Sequence, residues 1–131
     1  MKVLVTGVGG FLGRNLFNKL LDNPKFTQIV GTSHYIENGF SYDDHPKKRE
    51  RGIIAECPLE KIGWPLRLLS QFKPDLIYLV SGISKQDSSI FQLYESHVSS
   101  TLNILSSING FKPIIIHISS VVVDANPLNF Y

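Results

Sequence analysis

Three glycines stand three residues apart, at Gly7, Gly10 and Gly13, inside the stretch VLVTGVGGFLG, with Gly9 between them. Glycine weakens the interior of both helices and strands, so this run, directly after an apolar β-branched segment, needs a reason. A backbone that must approach a phosphate supplies one. The first glycine makes a tight bend. The second, with the N–H groups of Phe11 and Leu12 beside it, lets a pyrophosphate reach the positive end of a helix. The third lets that helix pack closely on the strand. The G-x-G-x-x-G spacing fails at Leu12, whereas G-x-x-G-x-x-G fits. The plain alternative is a Gly-rich turn. A second chemical group is the hydroxyl pair Ser119 and Ser120, which closes the apolar run PIIIHISS and is otherwise a turn-forming pair.

The elements that must carry these groups alternate along the chain. KVLVT (2–6) reads as a strand and FLGRNLFNKLLD (11–22) as a helix, with Leu12, Leu16 and Leu20 four apart. TQIVGT (27–32) and GIIAE (52–56) read as strands, separated by a polar loop over 33–51. PLRLLSQF (65–72) reads as a helix with Pro65 in its first turn. DLIYLV (75–80) is a fourth strand and PIIIHISS (113–120) a fifth, both near-continuous apolar runs, as expected of parallel strands covered on both faces. Between them, residues 89–108 read as one long helix with Ile90, Tyr94, Val98, Leu102 and Leu105 along one face. Five strands alternating with helices predict an α/β fold: a Rossmann-type, doubly wound parallel sheet with helices on both faces. Such sheets bind ligands beyond the carboxyl ends of their strands. That crevice would collect the glycines, Ser33 and His34 after the second strand, Val80, Ser81 and Gly82 after the fourth, and Ser119 and Ser120 after the fifth.

The stretch TGVGGFLG resembles the T-G-x-x-G-x-x-G of the extended short-chain dehydrogenases/reductases, the NAD-dependent epimerase/dehydratase family. KPDLIYLVSG is similar to that family's P-D-x-V-x-H-L-A-A, and HVSSTLN to its N-V-x-G-T-x-N helix, with His97 where Asn is usual. HISSVVVD resembles the segment bearing the catalytic Ser or Thr, with Asp124 where Tyr is common, and NPLNFY resembles the start of the Y-x-x-x-K motif, most closely in dTDP-dehydrorhamnose reductases and epimerases. The resemblance implies hydride transfer on a nucleotide sugar or a similar hydroxy or keto substrate, with Ser120 holding the reacting oxygen and Tyr131 as acid/base. Ser120 and Tyr131 lie closer in sequence than is usual, so an unrelated Tyr is the alternative. The motif's Lys would fall four residues beyond Tyr131, and the substrate-recognising part further still. Residues 1–131 therefore read as the NAD(P)-binding Rossmann portion, inactive alone. A non-catalytic nucleotide-binding module, redox-sensing or structural, is the competing reading; His97 and Asp124 suit it.

The cofactor implied is NADP or NAD. The end of the second strand, GTSHY, carries no carboxylate before Glu37, and Ser33, His34 and the basic run HPKKRER (45–51) lean toward NADP. Net charge of +2 is too small to point to nucleic acid or a membrane surface, and no apolar run reaches membrane-span length. Charged residues make up 18% and hydrophobic residues 43%, which suits a globular chain. Cys57 is the single cysteine, so no internal disulfide forms, and a cytoplasmic setting is expected. The four histidines and the acids show no metal-ligand spacing. His117, inside an apolar strand, reads as a core residue. The fifth strand would present an apolar edge, from which a homo-oligomer is expected.

Overall fold

The computed structural model describes residues 1–34, 50–83 and 88–118. Strand β1 is Lys2–Val5, followed by helix α1 (Phe11–Asp22), β2 (Gln28–Ser33), β3 (Gly52–Glu56), α2 (Gly63–Phe72) and β4 (Leu76–Leu79). A helical rod then runs through α3 (Ile90–Tyr94), a π-helical turn (Glu95–Ser99) and α4 (Ser100–Ser106), and β5 (Ile114–His117) follows. The strands form one sheet in the order β3-β2-β1-β4-β5, and every neighbouring pair is parallel. Strand order reverses at β1, where one run leads toward β3 and the other toward β5. A crevice opens at such a switch point, above the carboxyl ends of the strands.

Alternation along the strands divides the interior in two. Val3, Val5 and Ile29 point to one face and pack with Phe17, Leu20 and Leu21 of α1. Leu4, Val30, Ile77 and Leu79 point to the other and pack with Leu69 of α2 and Ile104 of α4. Helices therefore cover both faces of the centre of the sheet, as the apolar run of β4 required, whereas the equally apolar β5, at the edge of the described sheet, is exposed along its length. The amino-terminal end of the sheet, away from the crevice, is tied by Asp75, whose carboxylate accepts from Lys2 N–H at 2.7 Å. Its own backbone joins β1 and β5 through Asp75 N–H to Lys2 O and Ile114 N–H to Asp75 O, each 2.9 Å. Lys73 ends α2 in a left-handed conformation, φ +46°, just before Pro74, which cannot continue a helix.

Four expectations are corrected. The helix over 89–108 is interrupted by the π turn, and its apolar stripe faces outward: Ile90 is 87% exposed and Leu102 54%. What faces inward is smaller, with Ser100, Ile104 and Ser107 buried. Ser100 and Ser107 donate their hydroxyls to Glu95 O and Asn103 O within the rod, so they pack close without an unpaired group. His117 is exposed because β5 is the edge of the described sheet. Trp64, expected in a core or interface, is 47% exposed and so lies outside the core. Arg51, the last cation of the basic run, lies at the far end from the crevice; its guanidinium donates to Leu21 O, Asn23 O and Phe26 O around the end of α1. The rest of that run, like Glu37, lies outside the described residues.

Candidate functional site

The turn after β1 is shaped by contacts that only glycine permits. Thr6 is buried, and its Oγ1 accepts from the N–H groups of Val80 and Ser81 at 2.9 and 3.0 Å, which pins the end of β4 against the end of β1. Gly7 then takes φ +71°, and a Cβ there would stand 2.8 Å from Ser81 Cα. Conformation and space both demand glycine. Gly13, in the first turn of α1, rests on that same bend; a Cβ would collide with Gly7 O and lie 2.7 Å from Gly7 C. Gly9 abuts Ser33, whose Oγ would be 2.7 Å from an added Cβ.

Gly10 is different. It is the N-cap of α1, its backbone is ordinary (φ −85°), and no side chain caps the helix. A Cβ there would meet only Gly7 O at 3.5 Å, an ordinary contact. The first N–H groups of any helix lack partners within it, and here the first turn carries no acidic residue to satisfy them. Nothing among the described residues requires glycine at this position. The space it leaves open is the crevice.

That crevice is a cavity of about 760 Å³, within the range of small-molecule sites. Every predicted cofactor residue within the described part lines it: Gly7, Gly9, Gly10, Phe11, Leu12 and Gly13 from the first turn, Ser33 and His34 from β2, and Val80, Ser81 and Gly82 from β4. Ser119, Ser120 and Tyr131 lie outside the described residues. Sequence reasoning missed two further walls. Thr32, Cys57, Leu59 and Glu60 close the β2–β3 side, and Gln92, Glu95, Ser96 and Ser100 form a polar strip on the rod. The signal for the first was position, since Cys57–Glu60 follow directly on a parallel strand. For the second it was the four-residue spacing of Gln92, Ser96 and Ser100, on the side of the rod opposite the apolar stripe.

Local chemistry differs along these walls. Cys57 is buried, and its thiol is pushed up to about 11 by burial first and by the nearby Glu60 carboxylate second, so it is inert at neutral pH. Thr32 Oγ1 is buried without a hydrogen-bond partner among the described residues. His34 Nδ1 stands 3.6 Å from Glu60 Oε2. On the other side, Gly82 lies under the ring of His97, whose Nε2 is 3.0 Å from Ile83 O. Ser89 begins the rod with a reciprocal cap, its Oγ accepting from Gln92 N–H while Gln92 Oε1 accepts from Ser89 N–H. Among the described residues, no group of three or more His, Cys, Asp or Glu is placed to hold a metal ion, and no helix is long and apolar enough to cross a membrane.

The cavity's donor set fits a dinucleotide: uncapped helix N–H groups above a glycine cradle for the pyrophosphate, and hydroxyl-bearing and charged residues flanking it for the sugars. Solved structures with this fold include L-threonine dehydrogenase from Clostridium difficile, with a TM-score of 0.75 and 18% identity over 92% of this chain and 37% of that one. Uronate dehydrogenase from Agrobacterium tumefaciens gives 0.72 and 19% over 91% of this chain and 40% of that one. UDP-glucuronic acid 4-epimerase from Bacillus cereus, in complex with NAD, gives 0.71 and 25% over 96% of this chain and 42% of that one. The chain thus spans 37–42% of the length of these proteins. No curated protein matches it. The family model for NAD-dependent epimerases/dehydratases matches residues 3–127, from the first strand to beyond the fifth. By that match the chain belongs to the NAD-dependent epimerase/dehydratase family.

Proposed function

We propose that the cavity binds a nicotinamide dinucleotide and that residues 1–131 are the cofactor-binding part of an enzyme. That enzyme moves a hydride at an alcohol or carbonyl of a nucleotide sugar or similar substrate. Gly10 carries the reading: the fold tolerates a side chain there, yet the residue is glycine at the N-terminus of a helix with no cap. A phosphate seated on the N–H groups of Phe11 and Leu12 accounts for all three facts. The bound nicotinamide would supply the hydride chemistry.

The chain's own residues do the rest in this proposal. Gly7, Gly9, Gly10 and Gly13 let the backbone approach the pyrophosphate, while Val80, Ser81, Gly82 and Ser119 border the nicotinamide half. Ser120 holds the reacting oxygen and Tyr131 moves its proton. A tyrosine of ordinary pKa, about 10, is a weak base at neutral pH, so the Lys four positions further on and a substrate-recognising part are needed as well. The chain alone is expected to turn over no substrate; steady NADH or NADPH consumption with a keto-sugar nucleotide, abolished by Ser120→Ala, would overturn that. We also propose a homo-oligomer, since Ile114, Ile115, Ile116 and Ile118 are 37–61% exposed. The buried lone thiol suits the cytoplasm, where we place the enzyme.

Calorimetric titration with NAD⁺ tests the cofactor reading. One-site binding is expected for the wild type. In Gly10→Asp the new carboxylate would occupy the helix N–H groups and repel the pyrophosphate. Two unit charges about 4 Å apart near a protein surface repel by roughly 4 kcal/mol. Allowing the side chain to rotate away, a residual ~2 kcal/mol weakens binding about 30-fold. Equal affinity in the folded variant would refute the reading.

A further inference from the structure

Glu60 reaches the cavity from beyond β3, away in sequence from both the glycine motif and the end of β2. After β3 the chain enters the segment Cys57–Glu60, and three hydrogen bonds lock this segment beside the end of β2. Cys57 N–H donates to Ser33 O at 2.8 Å, and Asn103 Nδ2, from α4, donates to Leu59 O and Glu60 O at 2.9 Å each. Glu60 Oε2 lies 3.6 Å from His34 Nδ1; the Glu60 side chain is only 20% exposed, yet it borders the cavity.

The cavity has two halves, one walled by the ends of β2 and β3, the other by the end of β4 and the π turn. In doubly wound sheets the adenosine of a dinucleotide lies on the β2 side, where an acid near the end of β2 takes the ribose 2′-hydroxyl. Here β2 ends in Ser33 and is followed by His34, and His34 faces a carboxylate that comes from the neighbouring strand. We propose that Glu60, delivered from beyond β3 and facing His34, is the ribose-binding carboxylate and selects NAD over NADP. The proposal rests on the dinucleotide reading above. A carboxylate accepts hydrogen bonds from a diol, whereas a 2′-phosphate would bring about two further negative charges against it. Arg51 offers no compensation, because its guanidinium is engaged at the opposite end of the strands.

The test is titration of NAD⁺ and NADP⁺ into the whole chain as wild type, Glu60→Gln and Glu60→Lys, with circular dichroism confirming the fold of each. The wild type is expected to bind NAD⁺ about tenfold or more tighter than NADP⁺. Glu60→Gln is expected to bring the two within about threefold, and Glu60→Lys to reverse the preference. A folded wild type that binds neither dinucleotide overturns the cofactor reading, and this assignment with it. Binding of both with a ratio unmoved by either variant, or a wild-type preference for NADP⁺, overturns the assignment of Glu60 alone.

Discussion

Gly13→Ala and Gly63→Ala are the same chemical change in the first turn of two helices, and the structure gives them opposite signs. At Gly63 an added Cβ meets nothing within 4 Å. Alanine there reduces the freedom of the unfolded chain and favours the helix, a gain of about 0.5–1 kcal/mol. At Gly13 the same Cβ collides with Gly7 O and sits 2.7 Å from Gly7 C and 3.0 Å from Val8 N. These are backbone atoms, and they cannot retreat: Gly7 is itself pressed against Ser81, which Thr6 Oγ1 holds. Relief therefore requires α1 to lift from the sheet, opening the contact of Phe17 with Val3 and Val5. Overpacking of this kind costs about 1–3 kcal/mol or somewhat more. Because the atoms met are immobile backbone, the cost falls at the upper end, about 3 kcal/mol; set against the helix gain of about 1 kcal/mol, the net loss is roughly 2 kcal/mol, a fall in Tm on the order of 6–10 °C for a chain of this size. Urea and thermal unfolding followed by circular dichroism, on both variants beside the wild type, supply the comparison. If Gly13→Ala proved as stable as Gly63→Ala, the account of why the third glycine is needed would be wrong.

Two further outcomes are expected. Arg51→Ala should lower stability by about 2 kcal/mol through loss of its charged bonds to three carbonyls, with Arg51→Lys restoring little because one ammonium cannot reproduce the fork; NAD⁺ affinity should stay unchanged, and a large loss of affinity would return Arg51 to the cofactor site. Cys57 keeps its proton in the folded chain up to about pH 11, against an ordinary 9.0, so the stability it contributes is full below pH 9 and declines as pH rises toward 11; urea midpoints of wild type and Cys57→Ala between pH 8 and 11 should converge as pH rises, and parallel curves would contradict the assigned burial.

Much of this architecture is legible in the sequence because each element carries a local signal. The helix over 11–22 and the strand over 52–56 have the predicted limits, since apolar spacing and flanking turn residues mark both. The glycine spacing is legible because its requirement is backbone geometry within seven residues. What is hidden depends on tertiary partners. The stripe from Ile90 to Leu105 has helical periodicity, but periodicity does not say which face meets the sheet; the serines, whose hydroxyls bond back to the rod, allow the closer approach and take that side. The π turn leaves no compositional mark. Glu60 is invisible to a search near the end of β2 because it arrives from the adjacent strand, 26 positions after His34, and only the register of β2 with β3 brings them together.

The ring of His97 lies where a side chain on residue 82 would otherwise be, with Nδ1 2.8 Å from the Cβ that Gly82 lacks. The two positions are therefore not independent in heredity. A larger residue at 82 is tolerable only after the ring at 97 has gone, and exchange of His97 for the Asn usual in the family would open a gap over Gly82 and deprive Ile83 O of its partner. Each single step between the two states passes through a poorer protein, so the pair should be inherited together: among relatives of this chain, a ring at 97 should travel with glycine at 82. Grafting one of them alone into another member of the family should damage the strand–helix junction it is meant to copy.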